Sequence, residues 1–252
     1  MSKVQLSGKT SVIIAILLNV VNTIWLTCRP VNRRPFFVCV LFMQRLAEMD
    51  LVAEDASQKL WSYHQDESGW TLAKTSGDVV VSWKPSNEYE GKLYRGQATI
   101  EDTPENIIPF MYLPEHRMKW DKSLQSYSIL EYIGQETFIC HTVTHSYGMG
   151  LISSRDFVDL VKVKRYNGGV VTTNSVSVDY PQCPPCSPHI RGHNNACGYV
   201  CSPLLGTPFR SQFEVYIQPD LGGMLPRTVV EAALPNNIID LVNCARAGLK
   251  DY

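Results

Sequence analysis

The sequence predicts an α+β fold in which one antiparallel sheet precedes a long C-terminal helix. A series of short segments rich in Val, Ile, Thr and aromatic residues fills the middle of the chain, and turn residues separate most of them. After these segments, residues 226–250 carry apolar side chains at helical spacing. Because strands and helices do not alternate, the pattern excludes a doubly wound parallel sheet.

Capping signals predict one helix before the first strand and another between the third and fourth strands. Asp50 is expected to cap an amphipathic helix that ends at Gly69. Thr103 and Pro104 are residue types preferred at the N-cap and first position of a helix. Since proline removes a backbone donor, Pro109 is expected to interrupt this second helix soon after it begins.

Turn signals organise the second half of the chain. Asn167 and Gly168 tolerate the positive φ values of a two-residue type I′ turn, so they predict a β-hairpin. In the last helix, over residues 226–250, Pro235 is expected to cause a kink or a restart. The strands are predicted at residues 70–75, 79–83, 93–100, 124–133, 137–144, 157–165, 170–180, 198–201 and 211–218.

The composition is that of a globular protein, and the charge argues against one class of partner. Hydrophobic residues make up 44% and charged residues 19% of the 252 residues. The net charge of -1 conceals an asymmetry, since residues 1–48 hold six basic side chains and one acidic one. The other residues hold 17 basic and 23 acidic side chains, and an acidic excess has the wrong sign for binding a phosphate backbone. We therefore expect no nucleic-acid partner.

The first 48 residues differ from the rest of the chain. Residues 11–27 contain no charged side chain, and basic residues flank them on both sides. This run is slightly short for a membrane-spanning helix of roughly 20 residues and long for the core of a signal peptide. Three interpretations are open: a signal anchor, a cleaved signal, or a mis-assigned start ahead of Met49. We expect residues 1–48 to be an extension and residues 49–252 to form a single domain.

No catalytic motif is present in the sequence. Gly148-Met149-Gly150 lacks the third glycine and the strand-to-helix context of a dinucleotide site. Cys140 and His141 are neighbours on a predicted strand, so their side chains point to opposite faces and cannot act as nucleophile and base. The sequence therefore predicts a protein that is not an enzyme and has no cofactor.

The eight cysteines support two expectations. They are scattered along the chain without the density of a small disulfide scaffold, which favours reduced thiols and a cytoplasmic location. Four of them have the spacing C-x2-C-x10-C-x3-C with two histidines between, which allows a zinc-stabilised interaction module as an alternative. The spacing is a poor match to a zinc ribbon, so we expect no metal at Cys183, Cys186, Cys197 and Cys201, with His189 and His193.

Several short motifs occur in a characteristic order along the globular part of the chain. They are Trp120-Asp121, Ser154-Arg155-Asp156-Phe157-Val158-Asp159, Arg191-Gly192-x-Asn194 and Cys197-Gly198. In this order they resemble the START domain, the lipid-transfer module named after steroidogenic acute regulatory protein. The chain is most similar to the small single-domain cytosolic members, the fifth and sixth of the mammalian set. Because several motifs agree at once over about residues 50–252, the match is more specific than one short pattern.

The resemblance implies both a fold and a function. START domains have a helix-grip fold, in which a curved antiparallel sheet wraps a long C-terminal helix and encloses one apolar cavity. The implied function is that of a monomeric intracellular carrier for one sterol, bile acid or steroid, with transient contact with membranes. A membrane-anchored lipid sensor is the alternative if residues 11–27 are translated and inserted. By resemblance, a gate loop consists of Tyr147, Gly148, Met149, Gly150 and Leu151.

The resemblance also implies which residues contact the ligand. Sterol-binding members place an inward acid and an inward arginine where this chain has Thr142 and Val161, so that charged pair is absent here. Polar recognition is then expected to fall to hydroxyl groups. The expected ligand contacts are Thr142, Thr144, Val161, Thr173, Ser175, Trp120, Leu234 and Ile238.

Overall fold

The structure is a computed structural model that describes residues 33–147, 150, 152–207 and 209–251. The chain divides into two compact units, Met1–Arg45 and Leu46–Tyr252. The uncharged run 11–27, to which the three interpretations of the N-terminal segment refer, lies outside the described residues. Within the described part, no helix is both long enough and apolar enough to cross a membrane.

Four helices are present among the described residues: α1 (Arg33–Gln65), α2 (Pro104–Tyr112), α3 (Pro114–Trp120) and α4 (Arg227–Lys250). The expectation that Asp50 caps α1 is wrong, because residues 33–49 include several strong helix formers and the helix begins earlier. Asp50 lies inside α1, where its carboxylate accepts a hydrogen bond of 2.7 Å from Lys162 Nζ. Helices α2 and α4 continue past Pro109 and Pro235, so the expected interruption of α2 and restart of α4 are wrong.

Nine strands lie close to the predicted places and form one large antiparallel sheet, and three short strands among the described residues were not predicted. Their bounds are β1 (Thr71–Ser76), β2 (Val79–Pro85), β3 (Lys92–Ile100), β4 (Leu124–Tyr132), β5 (Thr137–Thr144), β6 (Arg155–Arg165), β7 (Val171–Ser177), β8 (Ile190–Arg191), β9 (His193–Asn194), β10 (Cys197–Pro203), β11 (Ser211–Ile217) and β12 (Pro219–Asp220). The three that were not predicted are β8, β9 and β12. The sheet order is β1-β2-β3-β11-β10-β7-β6-β5-β4, with β8 parallel to β6. A separate two-stranded sheet pairs β12 with β9.

The order of the sheet differs from a simple meander. β3 pairs with β11, and β10 pairs with β7, so the β10–β11 hairpin lies between the first three strands and the β4–β7 meander. The hairpin between β6 and β7 is present, but its turn is one residue longer than predicted. Tyr166 N donates to Val170 O at 2.8 Å, and both Gly168 and Gly169 have positive φ values. Gly169 supplies the additional residue with positive φ that the longer turn requires.

Helix α4 packs closely on the sheet and on α3 because a glycine stands at each close contact. A Cβ atom at Gly96 of β3 would lie 2.4 Å from Ile238 Cγ2, so only glycine permits this approach without a shift. Near the other end of α4, a Cβ atom at Gly248 would lie 2.6 Å from Trp120 Cβ. Ile238, Val242 and other buried α4 residues belong to the main hydrophobic core. This sheet closed by its last helix confirms the predicted α+β, helix-grip class.

Candidate functional site

A cavity of about 210 Å³ lies between the sheet and helix α4. Strands β4–β7, β10 and β11 supply most of its wall, and α2, α3, α4, β9 and the segment between α3 and β4 supply the rest. Alternate residues of a strand share one face, so residues two positions apart come together in this wall. The structure brings together five of the expected ligand contacts in this cavity: Thr142, Thr144, Val161, Thr173 and Ser175.

The four hydroxyl groups in this wall differ in what they already bind. Thr144 Oγ1 accepts a hydrogen bond of 3.1 Å from Arg155 N, and Thr173 Oγ1 accepts one of 3.2 Å from Tyr199 N. Within the described residues, Thr142 and Ser175 have no hydrogen-bond partner for their hydroxyls. Thr142 and Ser175 are therefore the hydroxyls available to a ligand.

A second space of about 430 Å³ adjoins the cavity and forms its mouth. The two share four lining residues, namely Asp121, Ser123, Ile217 and Leu241. Ile238, another expected contact, lines the mouth and not the inner cavity. Pockets for drug-sized ligands usually measure roughly 300–1,000 Å³, so a ligand of that size would need both spaces.

The loop between β5 and β6 borders this mouth. Tyr147 lines the mouth together with Ile238 of α4. The base of the loop is closed by two backbone hydrogen bonds, Tyr147 N to Ile152 O at 2.8 Å and Ile152 N to Tyr147 O at 3.1 Å. Gly150 has a φ of 90°, which favours glycine. The other expected gate residues, Gly148, Met149 and Leu151, lie outside the described residues.

Two of the expected ligand contacts lie away from the inner cavity. Trp120 is buried against Phe110, with which it stacks at 5.9 Å between ring centroids, and its Nε1 donates to Phe110 O at 3.2 Å. Leu234 borders a separate cleft beside the first turns of α4. Trp120 therefore packs α3 against α2, and Leu234 belongs to α4. Neither side chain lines the 210 Å³ cavity.

Charged groups also line the cavity, in addition to the hydroxyl groups to which polar recognition was expected to fall. Arg117 Nε donates to Asp121 Oδ2 at 3.3 Å, an i,i+4 pair at the end of α3. The Arg117 guanidinium also lies 5.0 Å from the ring centroid of Tyr127. Each residue of this group contributes to the cavity wall, so the interior holds an ion pair at positions other than 142 and 161.

Asp159 is a second charged group that the sequence reasoning missed. It is 7% exposed and lines the cavity from the middle of β6. Ser177 Oγ donates to its Oδ1 at 2.6 Å, and Asn194 Nδ2 donates to its Oδ2 at 2.8 Å. Burial raises the pKa of Asp159 more than these donors lower it. The sequence could have indicated this position, because side chains alternate between the two faces of a strand. Asp159 stands two residues before Val161 and therefore shares its face.

Residues at the start of β6 form a separate polar network. Asp156 Oδ2 accepts a hydrogen bond of 2.8 Å from Arg191 Nη2 and lies 3.0 Å from His141 Nε2. Arg155, at the start of β6, donates from Nε to Leu221 O at 3.0 Å. These contacts tie β6 to β5, to β8 and to the loop before α4, which fixes the wall of the cavity.

The cysteines considered for zinc lie in different surroundings. Cys197 lines the cavity, and Cys201 is buried in the main core. Cys183 packs against a different hydrophobic cluster, and Cys186 is exposed. Among the residues that the structure describes, no three His, Cys, Asp or Glu side chains converge as a metal site requires.

A large antiparallel sheet with a cavity beneath the C-terminal helix is the arrangement of a domain that can enclose a small ligand. The START domain model matches residues 51–252 of this chain. The chain is 41% identical over 201 residues to StAR-related lipid transfer protein 6 of Homo sapiens, an alignment that covers 80% of this chain and 91% of that protein. It is 36% identical over 195 residues to StAR-related lipid transfer protein 5 of Bos taurus, which covers 77% and 92% respectively.

A solved structure gives the same result. Human StAR-related lipid transfer protein 5 superposes with a TM-score of 0.77 at 34% sequence identity, and the match covers 81% of this chain and 98% of that one. The chain therefore belongs to the START domain family.

Proposed function

We propose that this protein is a non-enzymatic carrier that binds one sterol, bile acid or steroid in its cavity and transfers it between membranes. The observation that supports this most is the cavity itself, whose wall combines apolar side chains with a few polar groups. The relatives carry the name lipid transfer protein. Moving a lipid into such a cavity replaces its contact with water, which lowers the barrier to its passage through the aqueous phase.

Basic and acidic side chains both surround the mouth, Lys122 beside Asp121 and Asp240, which suits only weak and transient contact with a membrane. Lys122 lines the mouth, and Lys119 is exposed three residues before it. A lysine near an anionic membrane surface contributes on the order of 1 kcal/mol of attraction. Such a modest contribution permits repeated binding and release, as a carrier requires. We place the protein in the cytoplasm as a monomer without a cofactor.

The loop that contains Tyr147 is the proposed gate. Tyr147 and Ile238 line the same mouth from the loop and from α4, so movement of the loop would widen the opening without disturbing the sheet. Its base is held by the pair of backbone hydrogen bonds between Tyr147 and Ile152. Ile238 is accordingly proposed as a contact for the part of the lipid that extends into the mouth.

Binding of purified full-length protein to a ligand panel tests this function. The panel contains cholesterol, 25-hydroxycholesterol, cholic acid and testosterone, and calorimetry or NMR reports affinity and stoichiometry. We expect saturable one-to-one binding of at least one of them. If none binds saturably, the proposed ligand class is wrong.

A further inference from the structure

The polar side chains on one flank of α4 hold the helix on the sheet. On the flank that faces β1–β3, Glu231 Oε2 lies 2.7 Å from Lys92 Nζ. Further along the helix, Asn236 Oδ1 accepts a hydrogen bond from Lys74 Nζ of β1. The hydrogen-bonding groups of this flank are therefore already used within the fold.

The flank of α4 that lines the mouth carries polar side chains whose hydrogen-bonding groups are unused. Asn237, Asp240 and Asn243 form this mouth flank, and residues three apart on a helix are neighbours. Within the described residues, none of the three side chains has a hydrogen-bond partner. Asp240 and Asn243 are exposed to water, whereas Asn237 is half-buried. Asn237 has therefore lost part of its hydration without gaining a partner, and a polar group of a ligand can supply one.

The opposite wall of the mouth offers less unused polarity. Asp121 is paired with Arg117 at 3.3 Å, and Ser123 Oγ donates to Asp121 Oδ1 at 2.5 Å. Lys122 and Asp240 bring opposite charges to the same mouth, so neither an anion nor a cation is strongly favoured there. A neutral group that both donates and accepts, such as a hydroxyl, matches the carboxamides of the mouth flank.

Polar groups without partners therefore occur in two places along the path of a ligand. The inner cavity holds the available hydroxyls of Thr142 and Ser175, and the mouth holds the amide of Asn237. Ile217 and Leu241 line both spaces and offer an apolar surface to the body of a ligand. A lipid with a polar group at each end would find a partner for both, whichever end enters first. A lipid with one polar group can match only one of the two places.

We propose that Asn237 is a specificity-determining residue whose amide binds a neutral polar group at the outer end of the lipid. This proposal rests on the proposed carrier function and narrows its preferred ligands to sterols or steroids with a hydroxyl group at each end. In a mouth that accepted only apolar groups, the second hydroxyl would lose its hydration and weaken binding. With Asn237 as its partner, the same hydroxyl strengthens binding by roughly two- to tenfold, the effect of one net hydrogen bond.

Two matched ligand pairs test this preference in the full-length protein. Cholesterol is compared with 25-hydroxycholesterol, and androst-5-en-3β-ol with androst-5-ene-3β,17β-diol, by displacement of a fluorescent sterol. The second ligand of each pair has one additional hydroxyl at the far end. We expect this diol to bind roughly two- to tenfold more tightly than the mono-alcohol in at least one pair. Equal affinities, or tighter binding of the mono-alcohol, in both pairs would overturn the proposal.

Variants then assign the preference to a residue. Asn237→Leu keeps the approximate size of the side chain and removes its hydrogen-bonding groups. The advantage of the diol should fall to within about twofold, while the mono-alcohol binds as tightly as before and shows that the variant is folded. Asn236→Leu is the matched control, because it makes the same change one residue away, on the flank bonded to Lys74. This control should keep the preference for the diol.

The outcomes separate the inference from the function on which it rests. An Asn237→Leu protein that keeps the full preference contradicts the assignment, and so does an Asn236→Leu protein that loses the preference to the same extent. Saturable binding without a preference for the diol contradicts only the inference. Absence of saturable binding to all the ligands contradicts the carrier function itself.

Discussion

At the scale of single residues, the strand face decides which side chains reach the cavity, and existing hydrogen bonds decide which of them can bind a ligand. The alternation of β5 and β7 places Thr142, Thr144, Thr173 and Ser175 in one wall. The hydroxyls of Thr144 and Thr173 already accept hydrogen bonds from the backbone amides of Arg155 and Tyr199, respectively. A sequence pattern predicts the first property, but the second depends on the register of neighbouring strands.

This difference between the hydroxyls leads to a prediction. Thr142→Val and Ser175→Ala should each weaken binding of 25-hydroxycholesterol by roughly two- to tenfold, the usual effect of one neutral hydrogen bond. Thr144→Val should mainly lower the thermal midpoint of unfolding, because it removes a bond to the backbone of Arg155. Calorimetric titration and thermal melts measure the two effects.

The control for this comparison is Ser126→Ala, which removes an exposed hydroxyl from β4. It should change neither affinity nor the thermal midpoint. If Thr144→Val weakens binding more than Thr142→Val does, the division between available and engaged hydroxyls is wrong.

At the scale of elements, the last turns of α1 are attached to the sheet by both apolar and charged contacts. Leu60 packs with Tyr216 and Val200 in a buried cluster. His64 Nδ1 lies 2.7 Å from Glu214 Oε2 on β11. The hydrogen bond to Glu214 raises the pKa of His64, and the same contact helps to lower the pKa of Glu214 against the effect of its burial.

The charged contact predicts a pH dependence of stability. The stabilisation due to His64 is fully present below its unperturbed pKa of 6.5 and is lost as the pH rises through its raised value in the folded protein. The contribution of Glu214 is present above its unperturbed pKa of 4.5 and is lost as the pH falls through its lowered value. The pair therefore stabilises the fold most between these two values.

His64→Ala measures this contribution. Urea denaturation should show that the substitution lowers the free energy of unfolding more at pH 6 than at pH 8.5, by roughly 0.5–1 kcal/mol, the range of a partly exposed ion pair. His145→Ala, at an exposed position after β5, serves as the control. A loss that is the same at both pH values would show that the ion pair does not contribute.

The sequence predicted element types better than element limits. The strands and α4 were placed almost correctly, because period-2 and helical spacing depend only on local residue order. The start of α1 was missed, since Asp50 has a capping side chain but lies inside a longer run of helix formers. The turn after Tyr166 was one residue short in the prediction, because Gly168 and Gly169 can both adopt positive φ.

At the scale of the whole molecule, the order of the motifs in the sequence was enough to predict the fold. Which polar and charged side chains line the cavity was visible only in the structure. The Trp120-Asp121 motif pointed to the family, but its ion-pair partner Arg117 was recognised only when α3 was seen at the cavity wall. Asp159 faces inward with Phe157 and Val161, a placement that follows from the strand period once one inward residue is known. Sequence patterns alone do not give the volume of a cavity or the partners of its polar groups.

Sterol transfer between vesicles tests the central claim most directly. Wild-type protein and the cavity-filling variant Ser175→Phe are compared for the rate at which they move dehydroergosterol from donor to acceptor vesicles, after circular dichroism has shown that both are folded. We predict that the wild-type protein accelerates transfer several-fold over the spontaneous rate and that the variant loses most of this acceleration, because the introduced phenyl ring occupies space needed by the lipid. Equal acceleration by both proteins, or none by the wild-type protein, would contradict transfer through this cavity.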